Sequence, residues 1–468
     1  MKAVGRFETL AGVALLTLTA AIAGLLLLGK PRPLAVVAAS PRPGAVEVPV
    51  ETQLTITFSR PVEAVSVQTG LSVVPPTDGL VSVAGRLAAF TPKRGLRADT
   101  DYMMTLGIGV RDRTGRPLSA PVVIRFHTRG QRLVVRTGDG RLLRATLAGA
   151  TELLAGPGVG EFAVSGAGDV SYVLPAEGAL VVRPAGPGAA RRIRLPTKPA
   201  RFGAVGMAVE TRELEWAPDG RTIGFLGATG DGANRVYVVL PSHTTPTPEP
   251  VSAPPDVAPH SSRPIPTALQ RALAEIVYGR DTFAFTPDAR GAVVRERNWE
   301  YVVQGFDGQQ RGVFGPFLAV GNASPRGQMV AFVDLDPADR ELRRRVVAYE
   351  RVGRLRMVSS PGRDSHSPRF AHRGDRVVFL AALPGGPSRL PRYAVETVDL
   401  DTGLQRRLTL PGKDETDASP RWSPDDAWIS FRRVQIDAPE RAEVWLVPAD
   451  GGAARRLPVA AVDARWSP

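Results

Sequence analysis

One short phrase recurs along the last two thirds of this 468-residue chain. An aromatic or small residue is followed by Ser, Ala or Thr, then Pro, then Asp or a substitute, often Gly, and then a β-rich run. It reads Trp216-Ala217-Pro218-Asp219-Gly220, Phe285-Thr286-Pro287-Asp288, Trp422-Ser423-Pro424-Asp425-Asp426 and Trp466-Ser467-Pro468. Weaker copies begin at Val164, Ala323 and Phe370 and end at Gly168, Gly327 and Gly374. A repeat of roughly 40–50 residues built from short strands specifies a propeller or an array, because one unit cannot bury its own apolar face.

The pattern inside each repeat is regular. After the turn comes a second strand, as in Thr222–Leu226, Met329–Phe332, Arg376–Leu380 and Trp428–Phe431. A third follows, as in Arg235–Val239 and Glu443–Val447, and then a fourth near Arg406–Leu408 and Arg455–Leu457. Four short strands make one propeller blade. Pro presets φ and Asp tolerates turn geometry, so the repeated Pro and Asp read as punctuation and not as chemistry. The last copy ends in mid-repeat at Trp466-Ser467-Pro468, while Arg132–Arg136 and Arg141–Leu147 supply strands with no preceding motif. The two ends are therefore expected to share one blade and close the ring. Six intact repeats and one split repeat give seven blades, with six as the alternative count. The phrase from Asp417 to Asp425, Asp-x-x-Pro-Arg-Trp-Ser-Pro-Asp, resembles the repeats of TolB-like (WD40-like) β-propellers. The resemblance implies a fold over residues 131–468 and says little about function, since propellers host many.

Composition narrows the classes. Pro (43) and Gly (48) are abundant but spread between strands, as turns would place them. There is no cysteine, which excludes disulfides, thiolate metal sites and a Cys nucleophile. The net charge is +13, yet residues 1–45 carry +4, residues 46–130 carry +3 and the rest only +6. A nucleic-acid binder clusters its charge, so no nucleic-acid partner is expected.

Residues 1–30 read as a signal anchor. Leu10–Leu28 is uncharged, and nineteen helical residues span about 28 Å, the thickness of a bilayer core. The run is longer than a usual secretory h-region. A cleavage site after Ala39, in Val37-Ala38-Ala39, lies far beyond it and behind Pro31 and Pro33, so an uncleaved transmembrane helix is favoured. Lys2 and Arg6 precede the run and Lys30 and Arg32 follow it, which leaves orientation to the domains beyond.

After a linker at 31–39, residues 40–128 carry alternating runs at 53–58, 70–74, 87–90, 102–106 and 122–126, spaced as in an all-β sandwich. Leu96 to Tyr102 reads as a tyrosine corner, with Tyr102 structural. Pro43-Gly44-Ala45, Leu54–Pro61, Phe90-Thr91-Pro92, Thr100-Asp101-Tyr102 and Phe126-His127-Thr128 together resemble the SbsA-type bacterial Ig-like domain. That resemblance implies a spacer or adhesive module. The fold class expected for the chain is all-β: an N-terminal transmembrane helix, an Ig-like sandwich and a β-propeller.

The search for chemistry is short. No Gly-x-Ser-x-Gly elbow is present. Of five histidines only His366 and His372 lie close together, too few for a metal site, and no cofactor is implied. The residue before each repeat's aromatic position reads Ala163, Glu215, Ala284, Asn322, Arg369, Arg421 and Arg465. If the aromatic packs between blades, period two turns this residue into the central channel. Arg369, Arg421 and Arg465 come from consecutive blades, and Asp364, His366 and Asp417 are expected in loops at the channel mouth. The plainer reading pairs each Arg with a motif Asp of the next blade. The sharper one is a pocket for a carboxylate, phosphate or acidic glycan, which a guanidinium fork suits. Pro241–Pro266 holds nine prolines, and Thr267–Val277 has the spacing of an amphipathic helix. The expectation is a membrane-anchored extracytoplasmic protein, in periplasm or at the cell surface. It would bind an envelope protein or an anionic small molecule or glycan, without catalytic residues. A carbohydrate-active lyase or hydrolase is the alternative.

Overall fold

The computed structural model describes residues 4–28, 33–50, 52–93, 95–195, 210–228, 234–243, 248–250, 283–295, 300–327, 329–339, 343–350, 353–384 and 392–467. Most of the proline-rich insertion and all of 267–277 lie outside the described residues. The chain divides into two compact units, Met1–Arg129 and Gly130–Pro468.

The first unit opens with helix α1 (Val4–Leu28). Every described side chain on it, from Leu10 to Ala23, is exposed. Thr17 and Thr19 donate their hydroxyls back to the carbonyls of Val13 and Leu15, at 2.9 and 2.6 Å, so their polar groups are satisfied inside the helix. Among the described residues no helix is long and apolar enough to cross a membrane.

Eight strands then form a sandwich: β1 (Val36–Ser40), β2 (Ala45–Val48), β3 (Leu54–Phe58), β4 (Leu71–Val74), β5 (Gly79–Ala84), β6 (Leu87–Pro92), β7 (Asp101–Leu106) and β8 (Val122–Thr128). One sheet has the order β1-β3-β6-β5 and the other β2-β8-β7-β4. Alternation does the work: Leu54, Ile56 and Phe58 face inward from β3, and Tyr102, Met104 and Leu106 from β7. The tyrosine corner is present, with the Arg97 N–H donating to the Tyr102 hydroxyl at 2.8 Å. The stretch 31–39, read as linker, differs from that expectation. Leu34 is fully buried in the core and Val36–Ser40 is an edge strand paired with β3, so the sandwich begins before residue 40. The short apolar run Val36-Val37-Ala38-Ala39 resembles a cleavage region in composition, which hid the strand.

The second unit holds seven four-stranded antiparallel sheets among the described residues, which settles the blade count at seven. Their inner strands are Phe162–Val164, Glu210–Trp216, Ala284–Phe285, Ala319–Ala323, Ser365–Phe370, Glu415–Trp422 and Asp463–Ser467, for blades one to seven. Asp463–Ser467 pairs antiparallel with Arg132–Arg136, so blade seven joins the two ends of the unit and leaves no open edge.

The repeated phrase works as read. In each turn the fourth residue donates to the carbonyl of the first: Gly168 to Ser165, Gly220 to Ala217, Gly327 to Ser324, Gly374 to Ala371 and Asp426 to Ser423. That fourth residue is left-handed, with φ from 56° at Asp426 to 90° at Gly168, which is why Gly recurs there. The motif Asp accepts the N–H two residues on, at 2.9 Å for Asp219 and 3.1 Å for Asp425. Asp426 holds the strained position for a reason. Its carboxylate accepts the N–H groups of His372 and Arg373 in the preceding blade, at 2.8 and 3.0 Å. Four of the seven second strands bury one Phe, namely Phe225, Phe332, Phe379 and Phe431. Each contributes roughly 2–3 kcal/mol by leaving water.

Candidate functional site

The aromatic position of the repeat fixes what its neighbour faces. Trp422 and Trp466 donate their indole N–H to the carbonyls of Arg369 and Arg421 in the preceding blade, at 3.0 and 3.1 Å. The rings are thereby held between blades. A bulge interrupts the inner strands of blades two, five and six just before this point, with Glu213, Ser367 and Ser419 at φ 51–57°. Such a bulge re-aims the next side chains. Arg369 of blade five then reaches Glu215 of blade two, on the far side of the ring, at 2.9 Å. An ion pair between blades so far apart places both residues in the channel.

Arg465 lies beside the same cluster. It pairs with Asp463 on its own strand at 2.7 Å and sits 5.0 Å from the Phe162 ring centroid. Burial alone would lower its pKa, but Asp463 and Glu161 outweigh that and raise it. Arg421 differs from both. No acid or carbonyl among the described residues bonds its guanidinium, and its Nε is buried without a partner. Burial, with Arg465 and Arg369 nearby, pushes its pKa down to about 9. An anion placed beside such a guanidinium would favour its charged form.

The structure brings together the three arginines but not the other three residues expected with them. Asp364 is bound by Arg344 of blade four at 2.6 Å and by the Tyr393 hydroxyl at 2.5 Å. Burial would raise its pKa, yet these donors hold it below the usual value. Asp417 is buried beneath Arg433 at 2.8 Å and bonded by Thr409, and burial raises it. His366 packs edge-on to Tyr393, with centroids 4.5 Å apart, and burial beside Arg344 depresses it to about 3. All three are structural ties of blades five and six. Nor do the arginines pair with motif Asp residues of the next blade. Arg369 and Arg465 instead pair with Glu215 and Asp463, and further acids lie close by.

Those acids were not singled out from sequence. Glu161, Glu213 and Asp463 each lie two residues before an aligned position, and period two could have found them. Glu213 is pushed up by burial and by Glu215. Asp463 is lowered because Arg465, Arg421 and Arg432 outweigh its burial. Arg432 and Arg136 come from second strands, which the alignment of inner strands does not sample. Basic groups thus lie on blades five to seven, while Glu161, Glu213 and Glu215 come from blades one and two. Among the described residues no group of three His, Asp or Glu is arranged to hold a metal ion.

The model of bacterial Ig-like domains (Big_5) matches residues 30–128. No curated protein matches the chain. Among solved structures, TolB from Acinetobacter baumannii is 12% identical, with 93% of this chain and 99% of that one covered at a TM-score of 0.37. The β-propeller domain of the Trilobed protease from Pyrococcus furiosus is 11% identical, with 77% and 95% covered at 0.46. The acylaminoacyl peptidase of Pyrococcus horikoshii is 10% identical, with 77% and 51% covered at 0.45. At such identities the likeness is one of fold alone. Residues 30–128 are a bacterial Ig-like domain, and the unit that follows is a β-propeller with TolB proteins among its structural neighbours.

Proposed function

We propose that this chain is a membrane-anchored extracytoplasmic binding protein whose propeller takes an anionic group, above all a carboxylate, on Arg421 in its central channel. One observation carries the reading: Arg421 is a channel arginine without a counter-ion of its own. Its neighbours Arg369 and Arg465 already hold Glu215 and Asp463. A free guanidinium fork beside two occupied ones binds a carboxylate in bidentate fashion at little reorganisation cost. The anchor rests on the uncharged run Leu10–Leu28, and the extracytoplasmic placement on the Ig-like module. The natural ligand then belongs to an envelope protein or an acidic glycan. Calorimetric titration of propionate into the full chain in detergent tests the site. Binding is expected to the wild type and not to Arg421→Gln; equal heats from both would remove Arg421 from the site.

A second reading draws on Glu213. A carboxyl with a raised pKa beside a second carboxylate is the pairing of a glycosidase acid. Glu215, however, is held by Arg369, which leaves it a poor nucleophile or base. Turnover of an acidic oligosaccharide that vanishes in Glu213→Gln would establish the enzyme.

A further inference from the structure

Three described arginines combine a buried Nε that has no partner with a guanidinium that bonds nothing else: Arg136, Arg421 and Arg432. Arg345, Arg373 and Arg376 share the buried Nε but hold Asp334, Asp375 and Asp450 through the same guanidinium. The three unpartnered ones fall in one place. Arg136 stands opposite Asp463 in the register of blade seven. Arg432 stands opposite Ala418 in blade six, three residues before Arg421 on the inner strand, and its strand touches the inner strand of blade seven. Burial lowers Arg432, Asp463 counters it, and Arg136 and Arg465 lower it further. Asp463 is common to all three: Arg136 faces it across the sheet, and Arg421 and Arg432 both lower its pKa. Each is a half-buried side chain whose Nε is shut off from water without a partner, and three such arginines stand around one strand.

We infer that the channel ligand carries two separate carboxylates, one on Arg421 and the second on Arg432 and Arg136. This rests on the anion site of the preceding section and names the ligand class it takes. The chemistry follows from spacing and charge. The unpartnered guanidiniums sit on two blades, Arg421 and Arg432 on blade six and Arg136 on blade seven, where Asp463 is already held by Arg465. Glu161 and Asp463 lie among them, so a compact phosphate of high charge density would meet carboxylates. Two singly charged planar groups on one chain would each meet a fork. A dicarboxylic acid and an acidic oligosaccharide share that chemistry.

The test is a calorimetric series on the full chain in detergent: propionate, then malonate, succinate, glutarate and adipate, then pyrophosphate and a diuronate. At least one dicarboxylate is expected to bind about tenfold or more tighter than propionate, since a second charge-assisted contact has that worth. In the double variant Arg136→Gln, Arg432→Gln the ratio should fall to about the statistical factor of two. A diuronate that binds as tightly as the best dicarboxylate, with the same loss in the variant, would assign the source to a glycan; weaker binding would assign it to a small acid. A best dicarboxylate within about twofold of propionate would overturn the inference, and so would a ratio that survives in the double variant. Pyrophosphate tighter than every dicarboxylate would overturn the carboxylate assignment. Absence of propionate binding to the wild type is a different failure, that of the Arg421 site itself. Tryptophan fluorescence checks folding of the variant, since all six Trp lie beyond residue 200, in the propeller.

Discussion

Replacing Arg421 with Met should stabilise the ligand-free protein. The reason is the missing counter-ion. A guanidinium whose pKa is pushed down to about 9 is opposed by its surroundings. At about 1.4 kcal/mol per pH unit, the shift corresponds to a ceiling of roughly 5 kcal/mol. The side chain keeps part of its surface toward the channel, and solvent there screens the charge. About 2 kcal/mol of gain is the working expectation for the Met variant, which keeps the stem and removes the charge. The sign with pH follows from proton counting. Below pH 9 both folded and unfolded chains are protonated at Arg421 and the cost is fully present. Above pH 9 the unfolded chain holds a proton that the folded one sheds, so stability rises and the advantage of Met shrinks. Urea unfolding followed by tryptophan fluorescence, in buffer without carboxylates, measures the difference at pH 7.5 and at pH 10. A dicarboxylate at a concentration that saturates the wild type should stabilise it clearly more than Arg421→Met. A Met variant less stable than wild type by about 1 kcal/mol or more would mean that Arg421 has a counter-ion within the protein, and the reasoning would fail.

Other outcomes follow from the same geometry. His366, depressed to about 3, stays neutral in the folded propeller while the unfolded chain protonates near pH 6.5. Stability is therefore lost as pH falls through that window, and between pH 7 and 5 His366→Gln should lose about 2 kcal/mol less than wild type in urea unfolding. Tyr102→Phe strands the Arg97 N–H and should cost the Ig-like domain about 1–2 kcal/mol, read as earlier amide exchange in strands β3 and β7. A chain that starts at Ser40 lacks buried Leu34 and strand β1, so limited proteolysis should cut its sandwich far faster than that of a chain starting at residue 30. For the same reason mass spectrometry of the protein purified from its own cells should find β1 retained.

Much of the fold was legible because its signals are local. Turn chemistry at Asp219 or Asp425 depends on residues two or three apart, and so does the left-handed glycine. Ring closure was legible because a strand at Trp466 needs a partner and Arg132–Arg136 lacked one. Strand β1 was not, since Val36–Ser40 is too short and too small in its side chains to differ from a linker. The site was half legible. Alignment on the aromatic picked out Arg369, Arg421 and Arg465, which do lie near one another, but it could not show who pairs with whom. Asp364 is taken by Arg344 of the neighbouring blade, and Asp417 by Arg433, which only the strand register of its own blade sets opposite it. Arg432 and Arg136 belong to second strands, where no repeat position marks them.

The central claim is that a carboxylate sits on Arg421. Crystals of the chain soaked in bromoacetate would show the anion directly through the anomalous signal of bromine. The account predicts a bromine peak in the channel within about 6 Å of the Arg421 guanidinium, absent from crystals of Arg421→Gln. A channel empty of bromine in the wild type, or the same peak in the variant, would contradict it.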